Sequence, residues 1–162
     1  MRQLFLLLLL STTIASTMAT GATQGTLFLV GMIPLHFDIR VSPVTGQLKT
    51  LDIENGETSL KVADVVESSN HINGYEIYIE SVNAGQLLHN NGTSFAPYQV
   101  QYGVAGSVVT PPAVGSPLLV KTSGALTGLT FDFEEVFITI PATSGLPGGA
   151  YTDTIVFSMQ AL

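Results

Sequence analysis

Apolar and polar residues alternate along most of this chain, and no window repeats apolar residues at i, i+3, i+4 and i+7. Short alternating runs separated by Gly, Pro, Asn and Ser clusters predict β-strands and no helix of any length. The clearest run is Tyr75 to Ser81, where Tyr75, Ile77 and Ile79 alternate with Glu76, Tyr78 and Glu80. Ile33 to Val41 sets Leu35, Phe37, Ile39 and Val41 against His36, Asp38 and Arg40. Further strands are predicted at Leu48 to Ile53, at Leu60 to Val66 (with Leu60, Val62, Asp64 and Val66 in register), and at Pro97 to Tyr102. Leu118 to Lys121, Phe131 to Ile140 and Tyr151 to Met159 complete the set, and Thr26 to Gly31 is a mostly apolar run near its start.

Within Phe131 to Ile140 the apolar parity changes at Glu134–Glu135, from Phe131 and Phe133 to Val136, Ile138 and Ile140. A β-bulge there would turn both halves to the core. Pro141 to Gly149 is a turn-rich return for the last strand, and the Gly, Ser, Pro and Ala of residues 103–128 predict two long loops around a short strand. Eight to ten such strands on turn signals 8–12 residues apart predict one all-β domain, a sandwich or a barrel.

One apolar stretch breaks the pattern. Arg2 precedes the unbroken run Leu4 to Leu10, and small and hydroxylated residues follow, with Ala15, Ala19 and Ala22 as cleavage positions. This is the layout of a secretory signal peptide over residues 1–19, cut after Ala19 or Ala22. A membrane span needs about 20 apolar residues, far more than this run supplies. About 140 residues then remain, enough for a core that stands without cross-links.

Composition narrows the classes. The 162 residues are 46% hydrophobic and 10% charged, with 5 Lys+Arg against 12 Asp+Glu, a formal net charge of −7. An acidic surface argues against nucleic-acid binding. The apolar content is too high for disorder. There is no cysteine, which removes a disulfide framework, a thiol nucleophile and thiolate metal sites.

Candidate chemistry is sparse. His36, His71 and His89 are far apart in sequence and read as solvated residues, and no nucleophile elbow or phosphate-binding loop occurs. Asp132, Glu134 and Glu135 cluster, and Glu76 and Glu80 share a strand face, but neither set forms a carboxylate pair across a cleft or an EF-hand spacing. No cofactor or metal is expected. Asn90-Asn91-Gly92 reads as a turn, and Asn91-Gly92-Thr93 is a glycosylation sequon only in a host that glycosylates exports.

The C-terminal segment Leu146-Pro147-Gly148-Gly149-Ala150-Tyr151-Thr152-Asp153-Thr154, followed by an apolar run with Ile155 and Phe157, resembles the terminal strand of bacterial pilin subunits. It is most similar to the spore coat protein U-like domains of the archaic chaperone–usher pathway, where a Gly-x-Tyr-x-Asp element, here Gly149, Tyr151 and Asp153, precedes the last strand. Val66 to Asn70, Asn73 to Ser81 with Asn83, Gly85 and Leu87, and Pro97 to Gly103 resemble other parts of the same group. Two departures stand out: the chain has no cysteine where many such subunits carry a disulfide, and it ends Gln160-Ala161-Leu162 with no aromatic residue beside the carboxylate.

The resemblance implies an immunoglobulin-like, Greek-key antiparallel sandwich over residues 23–162. It also implies a non-enzymatic, exported subunit of a pilus, fimbrium or coat, in the periplasm, at the cell surface or outside the cell. Its partners would be other copies or sibling subunits, and a periplasmic chaperone and usher. Assembly would proceed by β-strand addition, with Leu27, Phe28, Leu29 and Val30 as the candidate donor strand. The same residues also read as the first strand of a complete sandwich, the simpler of the two readings. The other functional class is a stand-alone secreted or periplasmic module for carbohydrate or protein adhesion, which would need exposed aromatics on one face. A small periplasmic hydrolase finds no supporting constellation.

Overall fold

The computed structural model describes residues 25–44 and 51–162. The signal-peptide reading, the cut at Ala19 or Ala22, and residues 48–50 of one expected strand lie outside them. The chain divides into two units, Met1–Ile33 and Pro34–Leu162. Of the first, residues 25–33 lie in no strand, and Leu27, Phe28, Leu29, Val30, Met32 and Ile33 are all exposed. The strand expected over Thr26 to Gly31 is therefore not formed. Among the described residues no ladder partner satisfies its backbone.

The second unit is all-β, with antiparallel ladders and no helix among the described residues. In chain order the strands are β1 (Phe37–Pro43), β2 (Glu57–Ser69), β3 (Tyr75–Ser81), β4 (Gln86–His89), β5 (Phe95–Pro97), β6 (Gln99–Tyr102), β7 (Val108–Val109), β8 (Leu118–Thr122), β9 (Thr130–Ile140), β10 (Tyr151–Thr152) and β11 (Ile155–Ala161). One sheet runs β1-β2-β9-β6-β7. Two further three-stranded sheets run β11-β3-β8 and β10-β4-β5. Ala63, Val65, Val100, Tyr102, Val136, Ile138 and Ile140 of the first sheet pack with Tyr75, Ile77 and Ile79 of the β11-β3-β8 sheet and Leu87 of the β10-β4-β5 sheet. The expected alternation of β3 is present residue by residue: Tyr75, Ile77, Ile79 and Ser81 are buried, and Glu76, Tyr78 and Glu80 are partly covered.

Four expectations need correction. β1 begins at Phe37, so Leu35 lies outside the strand and is exposed. Leu51 to Ile53 is loop and turn, not strand. The extra residues that shift the β2–β9 register sit in β2, between Glu57 and Leu60 and between Lys61 and Ala63, not in β9 at Glu134–Glu135. Ser59, at the first shift, has φ 49. Consequently Leu60 lies in line with Ala63 and Val65, while Asp64 and Val66 point outward. β9 alternates without interruption, which turns Asp132 and Glu134 inward and leaves Phe131 and Phe133 in solvent at 55% and 76% exposure. Finally, the last strand is broken at Asp153–Thr154 into β10 and β11.

Candidate functional site

In a seven-stranded immunoglobulin sandwich, strands A, B, E and D form one sheet and C, F and G the other. Here β1, β2, β9 and β6 occupy the A, B, E and D places, and β3 and β11 the C and F places. Among the described residues β11 pairs on one side only, with β3, through seven residue pairs from Ile155↔Ser81 to Ala161↔Tyr75. Among the described residues β1 likewise pairs only with β2, from Phe37↔Ser69 to Pro43↔Ala63. β1 and β11 run within contact distance of each other, yet no ladder joins them. Two edges thus face each other with unpaired backbone groups.

The lips of this groove are apolar because β alternation sends one residue in two toward the core. β1 contributes Phe37, Ile39 and Val41, and β11 contributes Ile155, Phe157 and Met159. All but Phe37 and Val41 pack on the core while remaining partly accessible, and those two are 36% and 40% exposed. Inside, the Phe157 ring lies 6.0 Å from that of Tyr102.

The Gly149, Tyr151 and Asp153 element forms the joint at the start of β11. Asp153 accepts hydrogen bonds from the Ser81 hydroxyl (2.7 Å), the Tyr98 hydroxyl (2.7 Å), and the Asn83 and Thr154 amides (3.0 and 2.7 Å). Burial, and then the bond to Asp153, push the Tyr98 phenol well above its ordinary pKa. Tyr151 donates to the Pro147 carbonyl at 2.8 Å and stacks on His89 at 4.7 Å. Gly149 has φ 150, and a side chain there would run into the His89 ring. His89 is accordingly 6% exposed, which overturns its reading as a solvated residue. His36 is exposed, with its ring bonded to Ser68, and His71 is partly covered by Phe37.

Pattern reasoning missed a second polar centre. Glu67, fully buried on β2, accepts from the hydroxyls of Tyr75 (2.6 Å) and Tyr102, and pairs with Lys121 Nζ at 2.8 Å. Asp132 and Glu134, turned inward by the unbroken β9, reach the same Lys121 at 3.4 and 2.9 Å. Burial opposes the Lys121 charge, but the bonds to Glu67 and Glu134 outweigh it and hold the ammonium above its usual pKa. Burial and these carboxylate bonds push the Tyr75 and Tyr102 phenols up as well. Every buried polar side-chain atom among the described residues has a partner, so the network is satisfied within the chain. No group of three or more His, Cys, Asp or Glu suited to a metal is found among the described residues. Of the aromatics that a sugar-binding face would use, Tyr75, Tyr98 and Tyr102 are buried.

Neither a known family model nor a curated protein matches the sequence. Among solved structures, the chain is similar to the minor tip subunit HdaB of the E. coli Hda pilus. The two share 11% sequence identity at a TM-score of 0.39, over 75% of this chain and 79% of that one.

Proposed function

We propose that this protein is an exported, non-enzymatic structural subunit of a surface fibre or coat, of the archaic chaperone–usher or spore coat U-like kind, assembling by β-strand addition. The observation that carries the reading is the groove between β1 and β11. Two edges of half-covered apolar side chains, each with a ladder on one side only among the described residues, are what an added strand needs: the backbone bonds give affinity, and alternate side chains fill the groove. The exposed run Leu27, Phe28, Leu29 and Val30 supplies a donor of matching chemistry, with Leu27 and Leu29, or Phe28 and Val30, entering the groove of a second copy. A periplasmic chaperone and an usher would act before assembly, by shielding the same edges. The alternative, a stand-alone binding module, would use the exposed Phe131 and Phe133 and not Tyr75, Tyr98 or Tyr102, which are buried.

The test is deletion of residues 23–30 from the exported chain, with a synthetic peptide of residues 23–33 added back. The intact chain should form polymers, the deletion should remain monomeric and melt at lower temperature, and the peptide should raise that temperature. Peptides carrying Leu29→Asp or Phe28→Asp report which parity enters the groove. An intact chain that stays monomeric and melts reversibly, unaffected by the deletion, would overturn the proposal.

A further inference from the structure

The outer face of the β1-β2-β9 sheet carries an apolar stripe where a solvated sheet face is normally polar. Phe131 and Phe133 stand 55% and 76% exposed on β9, and Leu129, just before the strand, is 56% exposed. The ladders place these residues in rows across three strands. One row is Asp38, Ser68 and Phe131; the next is Arg40, Val66 and Phe133. Ser68 is covered by the His36 ring, and Arg40 pairs with Asp38 at 2.7 Å. Beyond the second row Lys61 bridges Asp64 and Glu135.

These two rows are self-complementary. When two copies are laid face to face about a two-fold axis lying in the interface and perpendicular to the strands, each strand lies over its own counterpart with its direction reversed. The row of Phe131 then meets the row of Phe133, phenylalanine against phenylalanine, while Asp38 of each copy meets Arg40 of the other. The two-fold axis parallel to the strands instead sets the β9 phenylalanines over the charges of β1. We propose that this face binds a second copy of the chain in the first arrangement, with Phe131, Phe133 and Val66 as its centre and Asp38 and Arg40 as its charge lock. An isologous contact of this kind closes on itself. The patch is two rows long, smaller than the roughly 1,200 Å² or more of a stable interface, so the contact is weak between single copies and strengthens where copies are arrayed side by side. The proposal is independent of strand addition, which uses the opposite, inward face of β1.

The experiment is sedimentation velocity over a wide concentration range on full-length exported chains. All carry Phe28→Asp and Leu29→Asp, so that strand addition does not contribute. The parent should show a monomer–dimer equilibrium. Phe133→Ser, Asp38→Arg and Arg40→Asp should each weaken it about tenfold or more, the two charge variants by setting like charges opposite each other. An equimolar mixture of Asp38→Arg and Arg40→Asp chains should form a heterodimer at least as well as the parent, because every charge then meets its opposite. These side chains point outward, so circular dichroism should show unchanged folding. A parent that is monomeric throughout, an Asp38→Arg chain that associates like the parent, or a mixture no better than its components would overturn the proposal.

Discussion

Glu67 is the residue on which most depends. It is an acidic side chain with no exposure, held by two phenols and an ammonium. Removing it leaves the buried Tyr102 hydroxyl without its acceptor, while Lys121 keeps Asp132 and Glu134 and Tyr75 keeps Asp132, at a cost of about 3 kcal/mol. Glu67→Ala should lower stability by that amount in urea titrations. Glu67→Gln, which keeps an acceptor for the Tyr102 hydroxyl, should cost less. Nothing local in the sequence marks Glu67 as internal: Glu is almost always solvated, and the residues that neutralise it come from β3, β6 and β8. The one hint is parity, since Glu67 follows Ala63 and Val65 at the same spacing, and that reading needs the β2 shift to be placed first.

At the scale of elements, β3 and β6 were legible because they have no irregularity. Tyr75, Ile77 and Ile79, and Tyr98, Val100 and Tyr102, fall on one side whether or not their neighbours are known. The β2–β9 pair was not. A parity change in β9 can be absorbed by a bulge in either partner, and Val62, at one β2 register shift, is apolar like the core residues Leu60 and Ala63 around it. The phenylalanines therefore went outward and the acids inward, against hydrophobicity taken one residue at a time. The groove was legible only as chemistry, an apolar run with nowhere assigned to go; its position follows from long-range ladder order, which periodicity does not encode. The joint between β10 and β11 gives a prediction of its own. Asp153→Ala strips acceptors from the Ser81 and Tyr98 hydroxyls, two buried or nearly buried donors. It should cost about 3 kcal/mol and speed hydrogen exchange in β11 more than in β2. Asp153→Asn, which keeps one acceptor for the Asn83 amide, should cost less.

For the whole molecule, the polar centres fix how stability varies with pH. Tyr75, Tyr98 and Tyr102 all titrate above their ordinary value of 10.0 when folded, and Lys121 above 10.5. The folded state therefore holds protons that the unfolded chain begins to release near pH 10. Stability is fully present below that range and falls as pH rises through it, by up to about 1.4 kcal/mol per pH unit for each group. Melting curves should be flat with respect to these groups at neutral pH and drop steeply above about pH 10. Tyr102→Phe should make that drop shallower while lowering stability at neutral pH. The same centre has a mechanical consequence. Lys121 and Tyr75 belong to one sheet, and Glu67, Asp132, Glu134 and Tyr102 to the other. A load that pulls the sheets apart must draw opposite charges from each other through a medium that screens them poorly, so resistance is steep at small separations. When the load falls, the fastening closes again by attraction alone, with no oxidant and no enzyme. A cysteine-free chain thereby carries a clasp that can open and reset many times in any redox environment.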